Sequence, residues 1–329
     1  MHIPENYLSP TTCALMGAVM LPIWYTAVKK VEIKVKEDKE TVPMLGIATS
    51  LSFLIMMFNL PAPGGTTAHA VGASLIALLL GPWAATLSVS IALAMQAFLF
   101  GDGGILALGA NCFVMAVVMP FSGYGIFKLV RGKDNKREGL ASFFAGYVSI
   151  NLSAFLVALL LGLQPLLFKD SSGNPLYNPY PLSVTVSVMG ITHLLIGFVE
   201  GFFTVGVYQF VKRQNQKTAV DQEKNQWGRY KSLLVLIACM IVFAPLGLLA
   251  SGTAFAEWDI AGLVDNLSKY HVVATAPQGM VNGFNFTSLM ADYSIKGLPE
   301  PVAYILSALT AILIFFILYR LLFGRRVAK

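Results

Sequence analysis

The chain contains a series of apolar runs that are each long enough to cross a lipid bilayer. A helix needs about 20 residues to span roughly 30 Å of hydrocarbon. A longer run, at residues 69–100, is broken by Gly81, Pro82 and Trp83. Only 12% of the 329 residues are charged, whereas a soluble domain carries about 25%. The sequence therefore predicts an all-α integral membrane protein. The other apolar runs lie at residues 9–28, 43–61, 105–127, 139–163, 183–211, 232–251 and 301–323.

The positions of the 23 Lys and Arg residues decide how the broken run is counted. Most of them fall in four clusters, at 29–39, 128–137, 212–231 and 320–329, and such clusters mark the cytoplasmic side of a membrane protein. An even number of crossings must separate the first cluster from the second, so residues 69–100 count as two passes. The prediction is a polytopic helix bundle of nine helices, with its N-terminus outside and its C-terminus inside. This placement explains the net charge of +6 without a nucleic-acid partner.

The first two residues form a potential chelate for a divalent cation. The Met1 amine, the His2 backbone nitrogen and the His2 imidazole can close two adjacent rings on one ion, and one more nitrogen would complete a square. Tetragonal nitrogen fields favour Ni(II) or Cu(II), with Co(II) weaker, whereas Zn(II) prefers a tetrahedron. The alternative is an exposed tail in which His2 has no role. Residues 1–10 contain no Lys or Arg, so we expect no cleavable signal peptide and a retained Met1.

The predicted topology supplies a candidate for the fourth nitrogen. Residues 1–8 precede the first helix and residues 61–69 follow the second, so both segments lie outside. An extended tail reaches about 3.4 Å per residue, which allows His2 to approach His69. Without this match, a single histidine such as His69 would be interpreted as an ordinary interfacial residue.

Local capping signals locate two helix starts. Ser9 followed by Pro10 predicts an N-cap and a first helical residue. Thr66 or Thr67 similarly predicts the cap of a helix that carries His69 in its first turn.

Several motifs occur in one order along the first two thirds of the chain, and together they resemble the CbiM/NikM family. Members of this family are substrate-capture (S) components of energy-coupling-factor importers for cobalt and nickel. The resemblance covers about residues 1–212 and implies a seven-helix core in the cell membrane. It also implies Ni²⁺ or Co²⁺ as the transported substrate, and a transmembrane coupling subunit and ABC-type ATPase subunits as partners. The motifs are Met1-His2-Ile3-Pro4-Glu5, Tyr7-Leu8-Ser9-Pro10, Gly64-Gly65-Thr66-Thr67-Ala68-His69, Gly81-Pro82-Trp83-Ala84-Ala85, Gln96-Ala97-Phe98-Leu99-Phe100-Gly101-Asp102-Gly103-Gly104 and Ala107-Leu108-Gly109-Ala110-Asn111.

The resemblance assigns roles to individual residues. It implies that the metal is held by the Met1 amine, by the backbone and side-chain nitrogens of His2, and by His69, which is the set that the topology brings together. Asn111 and Gln96 are the candidates for supporting hydrogen bonds around these ligands.

The sequence departs from the family pattern at two positions. Asn6 stands where a Gly is usual, which alters the flexibility of the tail. Val114 stands where a second Asn is frequent, which leaves the supporting network around the site incomplete at that position.

The last third of the chain resembles the small two-helix subunit that related transporters encode separately. We predict a metal-capture domain at 1–212, a basic cytoplasmic linker at 213–231 and a two-helix extension at 232–329, with an outer loop at 252–300. This loop either leans over the capture site and attracts cations, or is a spacer with ordinary acidic content. His271 within it is a possible donor that we expect not to be used. The acidic residues of the loop are Glu257, Asp259, Asp265, Asp292 and Glu300.

Two ionisable residues lie within one apolar run and on one helix face. His193 and Glu200 are seven residues apart, and a charge at membrane depth is costly and often functional. They are candidates for transport or coupling. Alternatively, Glu200 contacts a polar group such as Asn151 or Gln96 for structural reasons.

Small residues on the first helix form a further candidate surface. Ala14 and Ala18, with Gly17 beside them, permit close approach of another helix. The family resemblance implies that this face contacts the coupling subunit, and the alternative is packing inside the bundle. The three cysteines are interpreted as small packing residues: Cys13, Cys112 and Cys239.

Sequence motifs also separate the possible functions. No Gly-x-x-x-x-Gly-Lys-Ser/Thr phosphate loop is present, so we expect a transporter subunit that is neither an ATPase nor another enzyme. An intramembrane metalloenzyme would usually carry His-Glu-x-x-His, which is absent. A passive channel or secondary carrier needs a polar path, yet Asp102 is the only charged residue between Glu40 and Lys128. A vitamin as cargo, as in related capture proteins, stays open.

Overall fold

The computed structural model describes residues 1–63, 65–133, 135–220, 226–250, 252–269 and 275–327, and these are mostly helical. The strands β1 (Leu60–Ala62) and β2 (Thr66–Ala68) form an antiparallel hairpin. The helices are α1 (Pro10–Glu37), α2 (Thr41–Met56), α3 (Ala73–Leu80), α4 (Pro82–Met95), α5 (Leu108–Asn111), α6 (Met119–Arg131), α7 (Glu138–Gly162), α8 (Gln164–Leu167), α9 (Leu182–Val220), α10 (Gln226–Phe243), α11 (Ile260–Lys269), α12 (Gln278–Val281) and α13 (Glu300–Val327).

Seven helical stretches in the described part of the chain are long and apolar enough to cross a membrane. Each coincides with a predicted apolar run, so the prediction of a multi-pass membrane protein is confirmed. The other two predicted passes correspond to α2, with 16 residues, and α3, with 8 residues. Both are shorter than a full crossing of roughly 20 residues, so the count of nine stays a prediction. The seven stretches are Pro10–Glu37, Pro82–Phe100, Leu108–Arg131, Glu138–Leu167, Leu182–Gln214, Tyr230–Leu249 and Glu300–Phe323.

The apolar run at 69–100 is divided into two helices at the predicted break. Helix α3 ends at Leu80, Gly81 adopts a φ of 88°, and Pro82 is the first residue of α4. Glycine tolerates this positive φ, and proline at the first helical position loses no hydrogen bond. The Lys34 ammonium donates to the Leu80 carbonyl at 2.7 Å, so α1 and α3 end on the same side of the bundle.

Helices α1 and α4 run in opposite directions. Val31 and Val35, near the end of α1, pack with Ala84 and Leu87, near the start of α4. At the other end of the bundle, Gln96 follows the end of α4 and lies beside the tail that leads into α1. The first helical residues of the chain and the last residues of α4 therefore share one end of the bundle.

The helix starts are predicted correctly at α1 and wrongly at α3. The Ser9 hydroxyl accepts a hydrogen bond from the Thr12 N–H, and Pro10 is the first residue of α1. Thr66 and Thr67 instead belong to β2, and His69 lies between this strand and α3. Helix α3 begins only at Ala73 because Gly72 adopts a left-handed conformation with a φ of 73°.

Two π-helical turns occur near the same end of the bundle. One covers Gln96–Phe100 and extends α4. The other covers Cys112–Val118, directly after Asn111, and joins α5 to α6. Such turns displace the helical register by one residue and are frequent at functional sites. Both residues predicted to support the site, Gln96 and Asn111, thus stand at a change of helical register.

The described residues between α10 and α13 cover the end of the bundle where the chain begins. The Tyr7 hydroxyl donates to the Trp258 carbonyl at 2.9 Å, and Met290 N–H donates to the Leu99 carbonyl at 2.9 Å. Of the two alternatives for this loop, the structure favours the one in which it leans over the predicted site. Cys13 and Cys112 are buried as expected, whereas Cys239 on α10 is exposed, so its interpretation as a packing residue is wrong.

Candidate metal centre

The first residues of the chain lie inside the protein. Met1, His2 and His69 each retain 3% of their surface exposed, and Ile3 is fully buried. The segment is therefore not an exposed tail, and the reach from His2 to His69 that the topology predicts is realised.

Three nitrogen atoms meet at this point. The Met1 amine lies 3.3 Å from His69 Nε2, and His2 Nδ1 also lies 3.3 Å from His69 Nε2. His69 Nδ1 faces the Ala70 carbonyl at 3.0 Å, and a carbonyl accepts only, so Nδ1 carries the proton. His69 Nε2 then presents its lone pair towards the amine and His2, as a metal ligand must.

Glu200 fixes the backbone that follows His69. Its fully buried carboxylate accepts hydrogen bonds from the Val71 N–H at 2.8 Å and from the Gly72 N–H at 3.0 and 3.1 Å. These N–H groups precede α3, where a negative charge is favoured by the helix dipole. Helix α9 thereby holds the position of His69 through the two residues that begin the turn into α3.

Asn111 holds the backbone that follows His2. Its Oδ1 accepts from the Ile3 N–H at 2.8 Å, and its Nδ2 donates to the Ile3 carbonyl at 2.9 Å. The Gly104 N–H donates to the same carbonyl at 2.9 Å. A Cβ at Gly104 would lie 2.8 Å from the Glu5 nitrogen, so only glycine permits this approach.

The next two residues of the tail are also tied to the protein. Glu5 Oε2 accepts from the Ile105 N–H at 2.7 Å, although burial raises the pKa of this carboxyl. Asn6 has a φ of 66°, a region that glycine adopts freely and asparagine more readily than most residues. Its side-chain amide pairs with the backbone of Phe284, at 2.8 Å to the carbonyl and 3.0 Å from the N–H. The departure from the usual Gly at this position is thus compensated locally.

Both nitrogens of the His2 ring face hydrogen-bond acceptors. His2 Nε2 lies 3.2 Å from Gln96 Oε1, and His2 Nδ1 lies 3.1 Å from Asp102 Oδ1. The Gln96 amide nitrogen donates to Asp102 Oδ2 at 3.1 Å and to the Tyr293 oxygen at 3.0 Å. The Tyr293 hydroxyl in turn donates to Asp102 Oδ2 at 2.5 Å. His2, Gln96, Asp102 and Tyr293 form one continuous network.

Electrostatics favours a charged Asp102 and a neutral Tyr293. Burial alone would raise the pKa of Asp102, but the neighbouring His2, His69 and Tyr293 outweigh burial, and the pKa lies below its usual value. Burial, followed by the Asp102 charge, raises the pKa of Tyr293 well above its usual value. Tyr293 therefore keeps the proton that it donates. A second carboxylate, Glu257, lies 3.4 Å from the Met1 amine.

Sequence reasoning did not assign Asp102, Glu257 or Tyr293 to the site. Asp102 carried a usable signal, because it is the single charge in a long apolar stretch and such charges are often functional. Glu257 and Tyr293 lie in the outer loop, where no spacing distinguishes them from their neighbours.

The other candidate residues lie apart from the cluster of nitrogens. His193 is 2% exposed; its Nδ1 donates to the Met189 carbonyl at 2.9 Å, and its Nε2 has no partner among the described residues. Ala14 and Ala18 lie on the exposed side of α1, so they do not pack inside this bundle. His271 lies outside the described residues.

Glu200 makes a structural contact, but with other partners than the two named for it. It contacts neither Asn151, whose amide donates to the Tyr147 carbonyl, nor Gln96, because the backbone N–H groups at 71 and 72 occupy both carboxylate oxygens. Val114 is fully buried, and its carbonyl accepts from the Ser153 hydroxyl at 2.5 Å.

Main-chain nitrogens are needed for a metal site at this point. In the part of the chain that the structure describes, no three His, Cys, Asp or Glu side chains form a group that could hold a metal ion. Two imidazoles with an α-amine and a backbone nitrogen can supply four donors, and such nitrogen sets suit square geometries.

Comparison with known proteins gives two family matches and several full-length relatives. Residues 2–218 match the CbiM model, described as the cobalt uptake substrate-specific transmembrane region, and residues 229–325 match the PDGLE domain. The chain is 51% identical, over 97% of both chains, to the probable fused nickel transport protein LarMN of Lactiplantibacillus plantarum. It is 39% identical to the fused nickel transport protein NikMN of Rhodobacter capsulatus, over 95% of this chain and 94% of that one.

Solved structures agree with these matches. The crystal structure of a transition metal transporter shares 50% identity and a TM-score of 0.63, covering 68% of this chain and 97% of that chain. A truncated transition metal transporter shares 52% identity and a TM-score of 0.61, covering 65% and 99%. The resemblance found in the motifs is thereby confirmed, and the chain belongs to the CbiM family of cobalt uptake substrate-specific transmembrane proteins, with a PDGLE domain in its last third.

Proposed function

We propose that this protein is the metal-capture component of an ATP-driven energy-coupling-factor importer for nickel or cobalt ions. The observation that carries the proposal is the convergence of the Met1 amine, His2 Nδ1 and His69 Nε2 in a buried position, with separations of 3.3 Å. The ion is the transported substrate, captured outside and released inside when partner subunits hydrolyse ATP.

The proposed ligands form a square of four nitrogens. Two edges of the square are spanned by chelate rings. One ring joins the Met1 amine to the His2 backbone nitrogen, and the other joins that nitrogen to His2 Nδ1. The other two edges are the 3.3 Å separations that end at His69 Nε2. At metal–nitrogen distances of about 2.0–2.1 Å, as for imidazole on zinc, neighbouring corners of a square are roughly 2.9 Å apart. The two open edges therefore need to shorten by only about 0.4 Å, a movement within the reach of side-chain rotation.

Nickel is the proposed first cargo. Four nitrogens in a plane suit Ni(II), whereas Co(II) binds more weakly in the general order of affinity. Two relatives that match almost the full chain are named as nickel transport proteins, and cobalt transport proteins are among the more distant relatives. These names support metal over a vitamin as cargo.

The coupling partners belong to the proposal as well. The sequence lacks a phosphate loop, so ATP hydrolysis is assigned to ABC-type ATPase subunits that act through a transmembrane coupling subunit. The exposed face of α1 with Ala14 and Ala18 is the proposed contact for that subunit. We retain the division into a capture domain at 1–212, a linker at 213–231 and an extension at 232–329, with the N-terminus outside and the C-terminus inside.

Metal titration calorimetry on detergent-purified protein that begins at Met1 tests the ligand set. We expect tight one-to-one nickel binding, lost in His2→Ala and His69→Ala. One alanine inserted before Met1 leaves every side chain unchanged but moves the amine, and it should abolish the chelate. Wild-type affinity in any of the three variants would refute the assignment.

Reconstitution separates the importer from an ATP-independent channel or secondary carrier. The purified chain in vesicles, loaded with a nickel-sensitive dye, should show no uptake without its partners and ATP. Uptake by the chain alone would establish the carrier function instead.

A further inference from the structure

We propose that Tyr293, in the C-terminal extension, is a positioning residue that orients His2 for metal binding through Gln96 and Asp102. The inference rests on the proposed function, because it concerns how the same ion is held. It makes the PDGLE domain a structural part of the metal site.

The orientation of the Gln96 amide follows from its neighbours. Its nitrogen lies 3.1 Å from Asp102 Oδ2 and 3.0 Å from the Tyr293 oxygen. The Tyr293 hydroxyl donates a hydrogen bond to Asp102 Oδ2 at 2.5 Å, so Asp102 Oδ2 is an acceptor and the Tyr293 oxygen is left to accept from Gln96. Both contacts require the Gln96 nitrogen on that side, which turns Gln96 Oε1 towards His2.

The orientation of Gln96 determines which nitrogen of His2 is free for the metal. Gln96 Oε1 accepts only, so His2 Nε2 at 3.2 Å carries a proton. When a metal takes His2 as a ligand, the remaining lone pair is that of Nδ1, the atom that closes the chelate ring with the backbone. A hydrogen bond on the second ring nitrogen fixes the tautomer and the ring plane of a histidine ligand. Tyr293 thus acts on the metal through Gln96 and then His2, and it does not contact the metal itself.

Tyr293 is itself held rigidly in this place. Its ring stacks on Phe100, with centroids 4.7 Å apart and an interplanar angle of 20°, and its carbonyl accepts from the Ser307 hydroxyl of α13 at 3.0 Å. Asp292 and Tyr293 both have positive φ, 51° and 59°, which non-glycine residues rarely adopt. Such conformations persist where the surroundings determine them and are concentrated at functional sites. The backbone here is shaped to deliver the hydroxyl to Asp102 and Gln96.

Tyr293→Phe tests the inference, and Tyr304→Phe is its matched control. Tyr304 belongs to the same aromatic group, with ring centroids 5.2 Å apart, but its hydroxyl donates to the Met57 carbonyl at 2.9 Å, away from His2. Loss of a supporting hydrogen bond costs a metal site about 10- to 100-fold in affinity. We expect nickel affinity to fall about tenfold in Tyr293→Phe and less than twofold in Tyr304→Phe, measured by calorimetry.

A spectroscopic readout distinguishes positioning from a general structural effect. The d–d absorption of bound Ni²⁺, and the electron paramagnetic resonance spectrum of Cu²⁺ bound in its place, report the ligand field directly. Both should change in Tyr293→Phe and stay at wild type in Tyr304→Phe. Unchanged affinity and spectra in Tyr293→Phe would overturn the inference.

Asp102→Asn tests the same network if Tyr293→Phe does not fold. It retains Tyr293 but replaces the acceptor, and Asp102 itself lies 3.1 Å from His2 Nδ1, so the spectral change should be at least as large, and an unchanged spectrum would overturn the inference. Where both single variants fold, the double variant should lose no more nickel affinity than the single variant with the larger loss, because the two residues act through one network. Fully additive losses of affinity would show that Tyr293 and Asp102 act separately and would refute the inference.

The outcomes separate the inference from the proposed function. If wild-type protein binds nickel, and His2→Ala abolishes binding while Tyr293→Phe does not change it, only the positioning role is wrong. If wild-type protein binds no nickel, the proposed function fails first.

Discussion

Removal of the Glu200 carboxylate should destabilise the protein and weaken nickel binding together. This side chain is fully buried in α9 and accepts hydrogen bonds from the Val71 and Gly72 N–H groups. It therefore satisfies the backbone just before α3 and holds the segment that presents His69. Its substitution removes no proposed ligand, so any effect on metal binding must pass through the backbone.

The magnitude follows from the number of N–H groups left without a partner. A buried donor that loses its acceptor costs about 1–3 kcal/mol. Glu200→Ala leaves two such donors and should lower the free energy of unfolding by about 2–6 kcal/mol. Glu200→Gln keeps one acceptor oxygen but turns an amide donor towards the second N–H, so its cost should be about half as large.

Unfolding in mixed detergent micelles, followed by circular dichroism during an SDS titration, measures these changes, and calorimetry measures nickel affinity. Thr204→Val is the matched control. Thr204 lies one turn further along α9, is fully buried, and its hydroxyl has no hydrogen-bond partner among the described residues, so its removal should not destabilise the protein. A Glu200→Ala protein with wild-type stability and affinity would show that the carboxylate does not hold this backbone.

Three further substitutions or conditions give separate tests. Nickel affinity should rise at least tenfold per pH unit, because binding displaces the His2 amide proton as well as any protons on the other ligands; a pH-independent dissociation constant in calorimetry would exclude that donor. Asn111→Asp keeps the acceptor for the Ile3 N–H but loses the donor to its carbonyl, and calorimetry should show a loss of about tenfold in affinity. Gly109→Ala places a Cβ 2.6 Å from the Gly17 nitrogen of α1, which should cost about 1–3 kcal/mol in an SDS unfolding titration, whereas Ala14→Val on the exposed side of α1 should cost less than about 0.5 kcal/mol.

Hydropathy was sufficient to predict most of the helices, whereas the orientation and the count of nine that follow from charge placement stay predictions. The apolar runs matched seven helices, and the break at Gly81 and Pro82 was located correctly because these residue types have few other uses inside an apolar run. The start of α3 was not predictable in the same way. Thr66 and Thr67 suit a helix cap and a β-strand equally. In the structure they pair with β1, and α3 begins only after the left-handed Gly72, whose N–H donates to the distant Glu200.

The residues of the candidate site also fall into two groups, those that the sequence could indicate and those that only the folded structure reveals. Met1 and His2 were proposed as a chelate because the covalent geometry of two adjacent residues is sufficient, and His69 was proposed from counting membrane crossings. Asp102, Glu257 and Tyr293 depend on how the outer segment folds back over the bundle. Sequence spacing carries no information about that approach, because Tyr293 contacts Asp102 across 191 positions and Glu257 contacts Met1 across 256 positions.

In the proposed function, ion release requires the tail to leave the position in which it binds. The proposed ligands on Met1 and His2 are fixed to the CbiM region through Asn111, and to the PDGLE domain through Glu257 and through the Tyr7 hydroxyl on Trp258. A displacement of either unit relative to the other therefore pulls directly on the nitrogens, because no flexible segment lies between these contacts and the first two residues. A site built on the start of the chain, rather than on two rigid helices, can hold an ion in a closed square and still open by the movement of a few backbone hydrogen bonds. The first bonds to break on opening are the three that hold Ile3, two with Asn111 and one from the Gly104 N–H, each worth about 0.5–1.5 kcal/mol.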